Sequence, residues 1–167
     1  MSRKTIIIAV LVAAVVITFL FLPVGMSLII RDKAGHVYFE ESVTTGDIIS
    51  KEFTHSVEKV QVVDTLLVAA DGTLLLTNTT YGSLGWGLPS DASYNITVEN
   101  GNFTIKNINE TFTGINFITG AKSREYLAIN GKKYPLFEML PEGKPLFLYI
   151  EHNTPAIMLF NKIQAYI

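Results

Sequence analysis

An uncharged apolar segment stands near the start of the sequence. No charged residue occurs between Thr5 and Ile30, and Ile6–Leu22 consists almost entirely of Ile, Val, Leu, Ala and Phe. A helix rises about 1.5 Å per residue, so roughly 20 residues cross a hydrocarbon core of about 30 Å. The segment therefore predicts one transmembrane helix, with residues 1–25 as the anchor and residues 26–167 as a separate domain.

The flanking residues predict how this helix is oriented. Arg3 and Lys4 precede it, and positive charge before a first span favours a cytoplasmic N-terminus, which puts the remaining domain outside the cell membrane. A cleaved signal peptide is the alternative. The apolar run is longer than the apolar region of a signal peptide, which usually has about 7–15 residues, and no Ala-x-Ala-like cleavage site follows it. We therefore favour an uncleaved, single-pass anchor that contacts the bilayer through residues 5–25; in both cases the domain is exported.

Composition excludes several classes of function. The net charge is -2 and the Lys and Arg residues are scattered, so no basic stripe is available to bind nucleic acid. The chain has no cysteine, which excludes disulfides, a thiolate nucleophile and cysteine-based metal sites. The exported domain must therefore be stable through its apolar core alone.

Four Asn-x-Thr sequons lie in the exported part, and none has Pro in its middle position. Their asparagines are Asn78, Asn95, Asn102 and Asn109. Asn and Thr also favour turns and strands for ordinary reasons, so this enrichment is suggestive. It predicts a glycoprotein in a glycosylating extracytoplasmic space.

After the anchor, the sequence has the pattern of an antiparallel β protein. Short β-branched runs flank three pairs of turn residues that favour two-residue hairpins, because both central residues of a type I′ turn need a positive φ. These pairs are Asp71-Gly72, Asn100-Gly101 and Asn130-Gly131. We predict an all-β fold, either an antiparallel β-sandwich or a partly open barrel, with about eight to ten strands after the N-terminal transmembrane helix.

Two segments are harder to assign. The apolar positions of the strand that begins at Ile48 alternate imperfectly, which indicates a slip near Ser50 of the kind that a β-bulge produces. The tail, Pro155–Ile167, is apolar but too short to span a bilayer. We interpret this tail as a final strand or a cover for a sheet edge.

The sequence contains no convincing catalytic set. His55 and Ser56 are neighbours on a strand and point to opposite faces, so Ser56 is not a nucleophile that His55 activates. Ser83 is a better candidate partner for His55, and Asp64 is a candidate acid. However, the segment around Ser83 lacks the glycine two residues earlier that a nucleophile elbow uses, and Pro89 ends it without a helix. The three histidines have no metal-ligand spacing, and no cofactor motif is present.

A glycine-rich loop runs from Tyr81 to Pro89. Gly85 and Gly87 flank Trp86, which is the only tryptophan of the chain. Such glycines allow positive φ angles and close backbone approach, but the pattern of a phosphate-binding loop is absent. Two interpretations remain open, a loop that covers the end of the β domain or a recognition surface with Trp86 at its tip.

The segment Phe53–Val60, together with the glycine-rich loop Gly82–Pro89, resembles a specific family. Similar small proteins, with a domain of unknown function, are encoded beside the fused permeases of TAXI-type TRAP transporters. They carry a His-Ser-Val strand, an acidic residue that is usually Glu and here corresponds to Asp64, and a Ser-x-Gly-x-Gly-x-Pro loop. Trp86 stands where that loop commonly has Ala. The likeness extends from about Leu28 to Glu151.

The resemblance implies a genomic neighbourhood, beside transporter genes, and no particular chemical reaction. Such transporters use a soluble solute-binding protein to deliver organic acids to an ion-coupled permease, and they occur in bacteria and archaea. We expect a non-catalytic accessory protein that contacts the permease or the solute-binding protein, and an archaeal cell surface would also explain the sequons. The interaction residues would be His55, Ser56, Asp64, Ser83, Gly85, Trp86 and Gly87. The alternatives are a small-ligand module with a pocket near His55 and, less favoured, a hydrolase that uses His55.

Overall fold

The computed structural model describes residues 2–55, 57, 59–83, 95–99, 101–120 and 122–164, and it consists of an apolar helix followed by two antiparallel β-sheets. The helices are α1 (Arg3–Phe21), α2 (Leu136–Met139) and α3 (Pro155–Gln164). The strands in the described residues are β1 (Gly25–Asp32), β2 (Val37–Val43), β3 (Ile48–Thr54), β4 (Gln61–Val68), β5 (Leu74–Tyr81), β6 (Asn95–Glu99), β7 (Asn102–Phe112), β8 (Ile115–Ile118), β9 (Tyr126–Ile129), β10 (Lys132–Pro135) and β11 (Pro145–Asn153). The predicted antiparallel β-sandwich after an apolar helix is confirmed, with more strands than the sequence indicated.

The smaller sheet joins the beginning and the end of the β domain. Its strand order is β2-β1-β11-β8. Strand β1 pairs with β11 along its whole length, from Gly25 opposite Asn153 to Asp32 opposite Leu146. Residues 26–30 of β1 are all buried. The first and last strands therefore form the centre of this sheet.

The larger sheet contains the middle of the chain in the order β10-β9-β3-β4-β5-β7-β6. The turn between β9 and β10 is the predicted type I′ turn, since Asn130 has φ 48° and Gly131 has φ 86°. Gly101, between β6 and β7, has φ 81°, and its neighbour Asn100 lies outside the described residues.

The hairpin between β4 and β5 forms as predicted, but through a different turn. Gly72 has φ 80°, and its amide donates to the carbonyl of Ala69 at 3.1 Å. Asp71 does not share the positive φ. The connection is therefore a type I turn that ends on a left-handed glycine, which is the common form of a three-residue hairpin loop.

The structure has two apolar clusters, and the larger one joins the two sheets. The larger cluster contains the buried residues Met26, Leu28, Ile30, Phe39, Val43, Ile49, Leu66, Val68, Leu74, Leu127, Ile129, Leu136, Leu140, Leu146, Leu148 and Ile150. The smaller cluster contains Val62, Tyr81 and Ile105, with Phe53, Ile96, Phe103 and Ile108 packed against them. The larger sheet contributes to both clusters.

The predicted slip near Ser50 is wrong. Strand β3 pairs with β4 without a break from Ile48 opposite Leu67 to Thr54 opposite Gln61. Ile49 is fully buried, whereas Ile48 is 51% exposed. The inward positions of β3 are therefore Ile49, Lys51 and Phe53. The apparent slip arises because the middle one of these carries a charge.

The described part of the tail, Pro155–Gln164, is the helix α3 and not a final strand, which was one of the two predicted forms. Its start has a clear physical cause. Pro155 occupies the first helical position, where a missing N–H costs nothing, and the hydroxyl of Thr154 accepts a hydrogen bond from the amide of Ile157 at 3.2 Å. Helix α3 contacts α1.

The domain has two ends with different neighbours. At one end, which we name the anchor end after the helix that the sequence predicts as an anchor, α1 leads into β1 and β11 leads into α3, and the amide of Val24 donates to the carbonyl of Asn153 at 2.8 Å. The turn between β4 and β5 lies at this end, because Ala70 and His152 line one cavity. The turn at residues 55–60, between β3 and β4, lies at the opposite end of β4. Since β4 has eight residues, the anchor end and this far end are roughly 24 Å apart.

Candidate functional site

Polar and charged side chains cross the inner face of the larger sheet. Lys51 of β3 pairs with Asp64 of β4, and Asp64 pairs with Thr79 of β5. Directly paired residues share a face, and alternate residues of a strand do so too. The buried pair Ile49–Leu66 identifies this face as the inner one. Lys51 and Asp64 therefore project between the two sheets.

Glu125, immediately before β9, completes a group of three ionisable residues that we name the charged band: Lys51, Asp64 and Glu125. The ammonium nitrogen of Lys51 lies 3.8 Å from Oε1 of Glu125, and these two side chains are 8% and 7% exposed. The other carboxylate oxygen, Oε2 of Glu125, has no hydrogen-bond partner in the described part of the chain. The pair is thus buried and incompletely hydrogen-bonded, which is costly for folding and calls for an explanation.

Aromatic rings surround the ammonium group of Lys51. Its nitrogen lies 4.6 Å from the ring centre of Phe53 and 5.0 Å from that of Phe117. Ring faces attract cations at such distances. The walls of the site therefore already stabilise one positive charge.

Asp64 occupies a different part of the charged band. The hydroxyl of Thr79 donates to its Oδ1 at 2.8 Å. No ion pair within 4.0 Å joins Asp64 to Lys51 in the described structure, so the ammonium interacts with Asp64 only at longer range. Asp64 is half-buried and, unlike Glu125, lines a cavity.

Loss of water determines the titration of all three groups. Burial raises the pKa of Asp64 and of Glu125 above their ordinary values, and burial lowers the pKa of Lys51. The opposite charges in the band counteract these shifts without reversing them. The charged forms are therefore all disfavoured relative to water.

A cavity of about 380 Å³ opens beside the charged band. We name it the sheet cavity, and it lies between the larger sheet and β8 of the smaller one. Its lining residues are Lys51, Phe53, Asp64, Leu66, Leu76, Phe112, Gly114, Ile115, Asn116 and Phe117. Two charged groups thus face a space with mostly apolar and aromatic walls, which is the usual character of a small-molecule site.

A separate cavity of about 260 Å³ lies at the far end, beside His55. We name it the His55 cavity, and its lining residues are Thr54, His55, Lys59, Ile118, Thr119, Gly120, Lys122 and Ser123. The amide of His55 donates to the carbonyl of Val60 at 2.8 Å, which closes the turn between β3 and β4. Strands β3 and β8 thus border both cavities.

Of the predicted site residues that the structure describes, Asp64 and His55 lie in separate cavities. Asp64 lines the sheet cavity and His55 lines the His55 cavity. Ser83 lies two residues beyond the end of β5, after Gly82, whose amide donates to the carbonyl of Gln61 at 3.3 Å, so it too lies at the far end. The remaining predicted interaction residues lie outside the described residues: Ser56, Gly85, Trp86 and Gly87.

The four sequon asparagines lie on the larger sheet. Asn102 and Asn109 of β7 are exposed. Asn78 is half-buried on β5, and its amide donates to the hydroxyl of Thr77 at 3.3 Å. Asn95 is the first residue of β6. Their glycosylation stays a prediction.

Sequence reasoning found Asp64 but missed Lys51 and Glu125. The signal for Lys51 was present, because a lysine between the inward residues Ile49 and Phe53 is a charge where a strand should be apolar. Glu125 gave no such signal, since it precedes its strand and lies beside exposed charged residues in the sequence.

Comparison with known proteins gives one match. A family model described as a domain of unknown function, DUF1850, matches residues 49–136. No curated protein and no solved structure matches the chain. The matched segment contains the whole charged band and nearly every residue of the larger sheet. Because this match spans more than half of the 167 residues, the chain belongs to the DUF1850 family.

Proposed function

We propose that this protein is a membrane-anchored, non-catalytic accessory protein of a TAXI-type TRAP solute uptake system. The observation that carries the proposal is the junction of α1 with the β domain. Helix α1 is apolar, long enough to cross a bilayer, and buries none of its residues against the domain. Three residues, 22–24, connect it to β1. A span in lipid would therefore hold the domain directly at the membrane surface.

The membrane attachment has a defined orientation in this proposal. Arg3 and Lys4 favour a cytoplasmic N-terminus, and the β domain is then outside the cell. Helix α3 starts at the anchor end beside α1, and its apolar side chains Met158, Leu159 and Ile163 are more than half exposed. Such a surface next to a membrane span suits lipid or the membrane part of the permease.

The far end suits the other partner. The His55 turn and Ser83, which carry the resemblance to TRAP-associated proteins, lie roughly 24 Å from the anchor end. They would therefore face away from the bilayer. This position favours the soluble solute-binding protein as the partner of the far end and the permease as the partner of the helices. An archaeal cell surface, where exported proteins are N-glycosylated, fits the four sequons.

Site-specific photo-crosslinking in native membranes tests this arrangement. Two exposed turn residues at opposite ends of β4, Val57 and Ala70, are replaced one at a time by a photo-crosslinking amino acid. We expect the residue-57 probe to capture the TAXI solute-binding protein and the residue-70 probe not to capture it. Co-purification with the permease should depend on neither substitution.

Several results would contradict the proposal. If neither transporter component is recovered by crosslinking or co-purification, the transporter role is rejected. If alkaline carbonate releases the protein from membranes, the proposed transmembrane anchor is rejected. Equal capture of the solute-binding protein by both probes would reject the assignment of the far end while leaving the anchor intact.

A small-ligand module is a second candidate, because His55 does line a cavity, together with Lys59 and Lys122. Three basic side chains around one space favour a small anion. Titration with a short dicarboxylate, compared between the wild type and Lys122→Gln, tests it. Equal heats of binding for the two proteins would reject this candidate.

A further inference from the structure

We propose that the sheet cavity binds a small apolar molecule that carries one amine, with its ammonium group on the carboxylate of Asp64. This inference is independent of the transporter role. It concerns a different cavity from the one beside His55, and it does not require the membrane anchor.

Size and walls define the apolar part of the ligand. A volume of about 380 Å³ lies in the range of cavities that hold small molecules. Leu66, Leu76, Ile115 and the rings of three phenylalanines supply most of the wall. Several of these residues are only half-buried, so the cavity is reachable from solvent near the turn between β7 and β8.

Charge balance defines the polar part. The charged band has two carboxylates and one ammonium, so it carries one excess negative charge when all three groups are ionised. Lys51 is committed to Glu125, its nearest charged neighbour at 3.8 Å. Within the part of the chain that the structure describes, Asp64 accepts one side-chain hydrogen bond, from the hydroxyl of Thr79 at 2.8 Å, and it also lines the cavity. A cationic group beside Asp64 would neutralise the band, whereas an anionic ligand would increase its excess charge.

The aromatic wall points to the same class of ligand. Phe53, Phe112 and Phe117 line the cavity, and two of these rings already face the ammonium of Lys51. Rings in a partly dry space attract a second cation by the same interaction. An apolar amine therefore matches both the charge and the walls.

Calorimetric titration of the full chain in lipid nanodiscs tests the proposal with three probes of similar shape. These probes are 2-phenylethylamine, 2-phenylethanol and 3-phenylpropanoate, and empty nanodiscs give the background. We expect the amine to bind at least about tenfold more tightly than the alcohol, because a charge-assisted hydrogen bond contributes more than a neutral one. The carboxylate should bind more weakly than the alcohol.

Two matched variants locate the binding. Asp64→Asn keeps the shape and the acceptor for Thr79 but removes the charge, so the preference for the amine over the alcohol should fall by about tenfold. Glu52→Gln removes a carboxylate from the neighbouring position of β3, on the outer face beside Lys133, and should leave all three affinities unchanged.

The wild-type ranking alone can overturn the proposal, whether or not the variants fold. It fails if the carboxylate binds most tightly, if the alcohol equals the amine, or if none of the probes binds to the folded protein. It also fails if folded Asp64→Asn retains the full preference for the amine.

Discussion

Gly114, between β7 and β8, lies against β11. A methyl group on its Cα would overlap the ring of Phe147 and lie 2.9 Å from the carbonyl oxygen of Leu148. The oxygen belongs to a paired strand and does not move aside easily. We therefore expect Gly114→Ala to lower the free energy of unfolding by about 1–3 kcal/mol. Urea denaturation measures this, and Gly25→Ala is the control because a Cβ there meets nothing within 4 Å. Equal stabilities of the two variants would show that β8 can shift away from β11 to accommodate the added methyl group without a loss of stability.

Asp64 is expected to reduce stability at neutral pH. Burial raises the pKa of Asp64 in the folded state. The free-energy cost of its buried charge is therefore absent below the unfolded-state pKa near 3.8 and complete above the raised folded-state pKa. Asp64→Asn should therefore increase stability at pH 7.5 by on the order of 1 kcal/mol, and this gain should shrink as the pH falls toward 4. Thermal unfolding at the two pH values checks it. Glu52→Gln, on the exposed face, should change stability by less than about 1 kcal/mol. A loss of stability in Asp64→Asn at pH 7.5 would contradict the idea that this carboxylate is kept for binding.

Single residues also show what the sequence can reveal. The inward position of Lys51 could be predicted once β3 was placed in register, since Ile49 and Phe53 flank it at a spacing of two. The approach of Glu125 to Lys51 could not, because their strands are separated by more than 70 residues and only the sheet order makes them neighbours.

Among the elements, the hairpins were the most predictable. The pair Asn130-Gly131 supplies both positive φ angles that a type I′ turn needs, and the side chain of Asn130 accepts a hydrogen bond from the amide of Ile48 at 3.0 Å. The second half of β7 and the whole of β8 were missed. Asn107 and Asn109 have φ angles of 60° and 58°, and the register between β5 and β7 shifts there, so β7 bulges and then continues to Phe112. Asparagine tolerates this left-handed backbone conformation better than most residues do.

The β9–β10 hairpin gives a test at the level of one element. Gly131 has φ 86°, a value that an alanine reaches only with strain, although the space around it is open. We expect Gly131→Ala to lower the free energy of unfolding by about 1–2 kcal/mol through the backbone alone. Gly120→Ala is the control, since its nearest neighbour lies 3.8 Å away and its φ is not in the left-handed region. Chemical denaturation of both variants measures the difference, and a neutral Gly131→Ala would mean that this turn can change type without cost.

At the scale of the whole molecule, the two sheets differ in width, and this difference produces the sheet cavity. Seven strands in one sheet face four in the other, so the smaller sheet cannot cover the whole inner face. Asp64 of the charged band lies on β4 between Val62 of the smaller apolar cluster and Leu66 of the larger one. Strand patterns predict which side of each strand is apolar, but they do not predict how many strands join each sheet. The cavity therefore could not be inferred from the sequence.

Asp32 connects distant parts of the chain through the smaller sheet. Its buried carboxylate accepts hydrogen bonds from the amides of Ala34 and His36, from the hydroxyl of Tyr38 and from the ammonium of Lys144. Lys144 directly precedes β11 and lies 112 residues away in sequence. The hydrogen bond from Lys144, supported by those from His36 and Tyr38, lowers the pKa of Asp32 to about 2.

The contribution of Asp32 should therefore depend on pH in a defined direction. A lowered carboxyl pKa gives stability that is present above the unfolded value near 3.8 and is lost as the pH falls toward 2. We expect Asp32→Asn to be less stable than the wild type at pH 7 and the difference to narrow between pH 4 and pH 2. Urea midpoints across this range measure it. In Lys144→Met the largest cause of the shift is absent, so the acid loss should begin at a higher pH than in the wild type. A difference between Asp32→Asn and the wild type that stays constant down to pH 2 would mean that Asp32 acts through its shape and not through its charge.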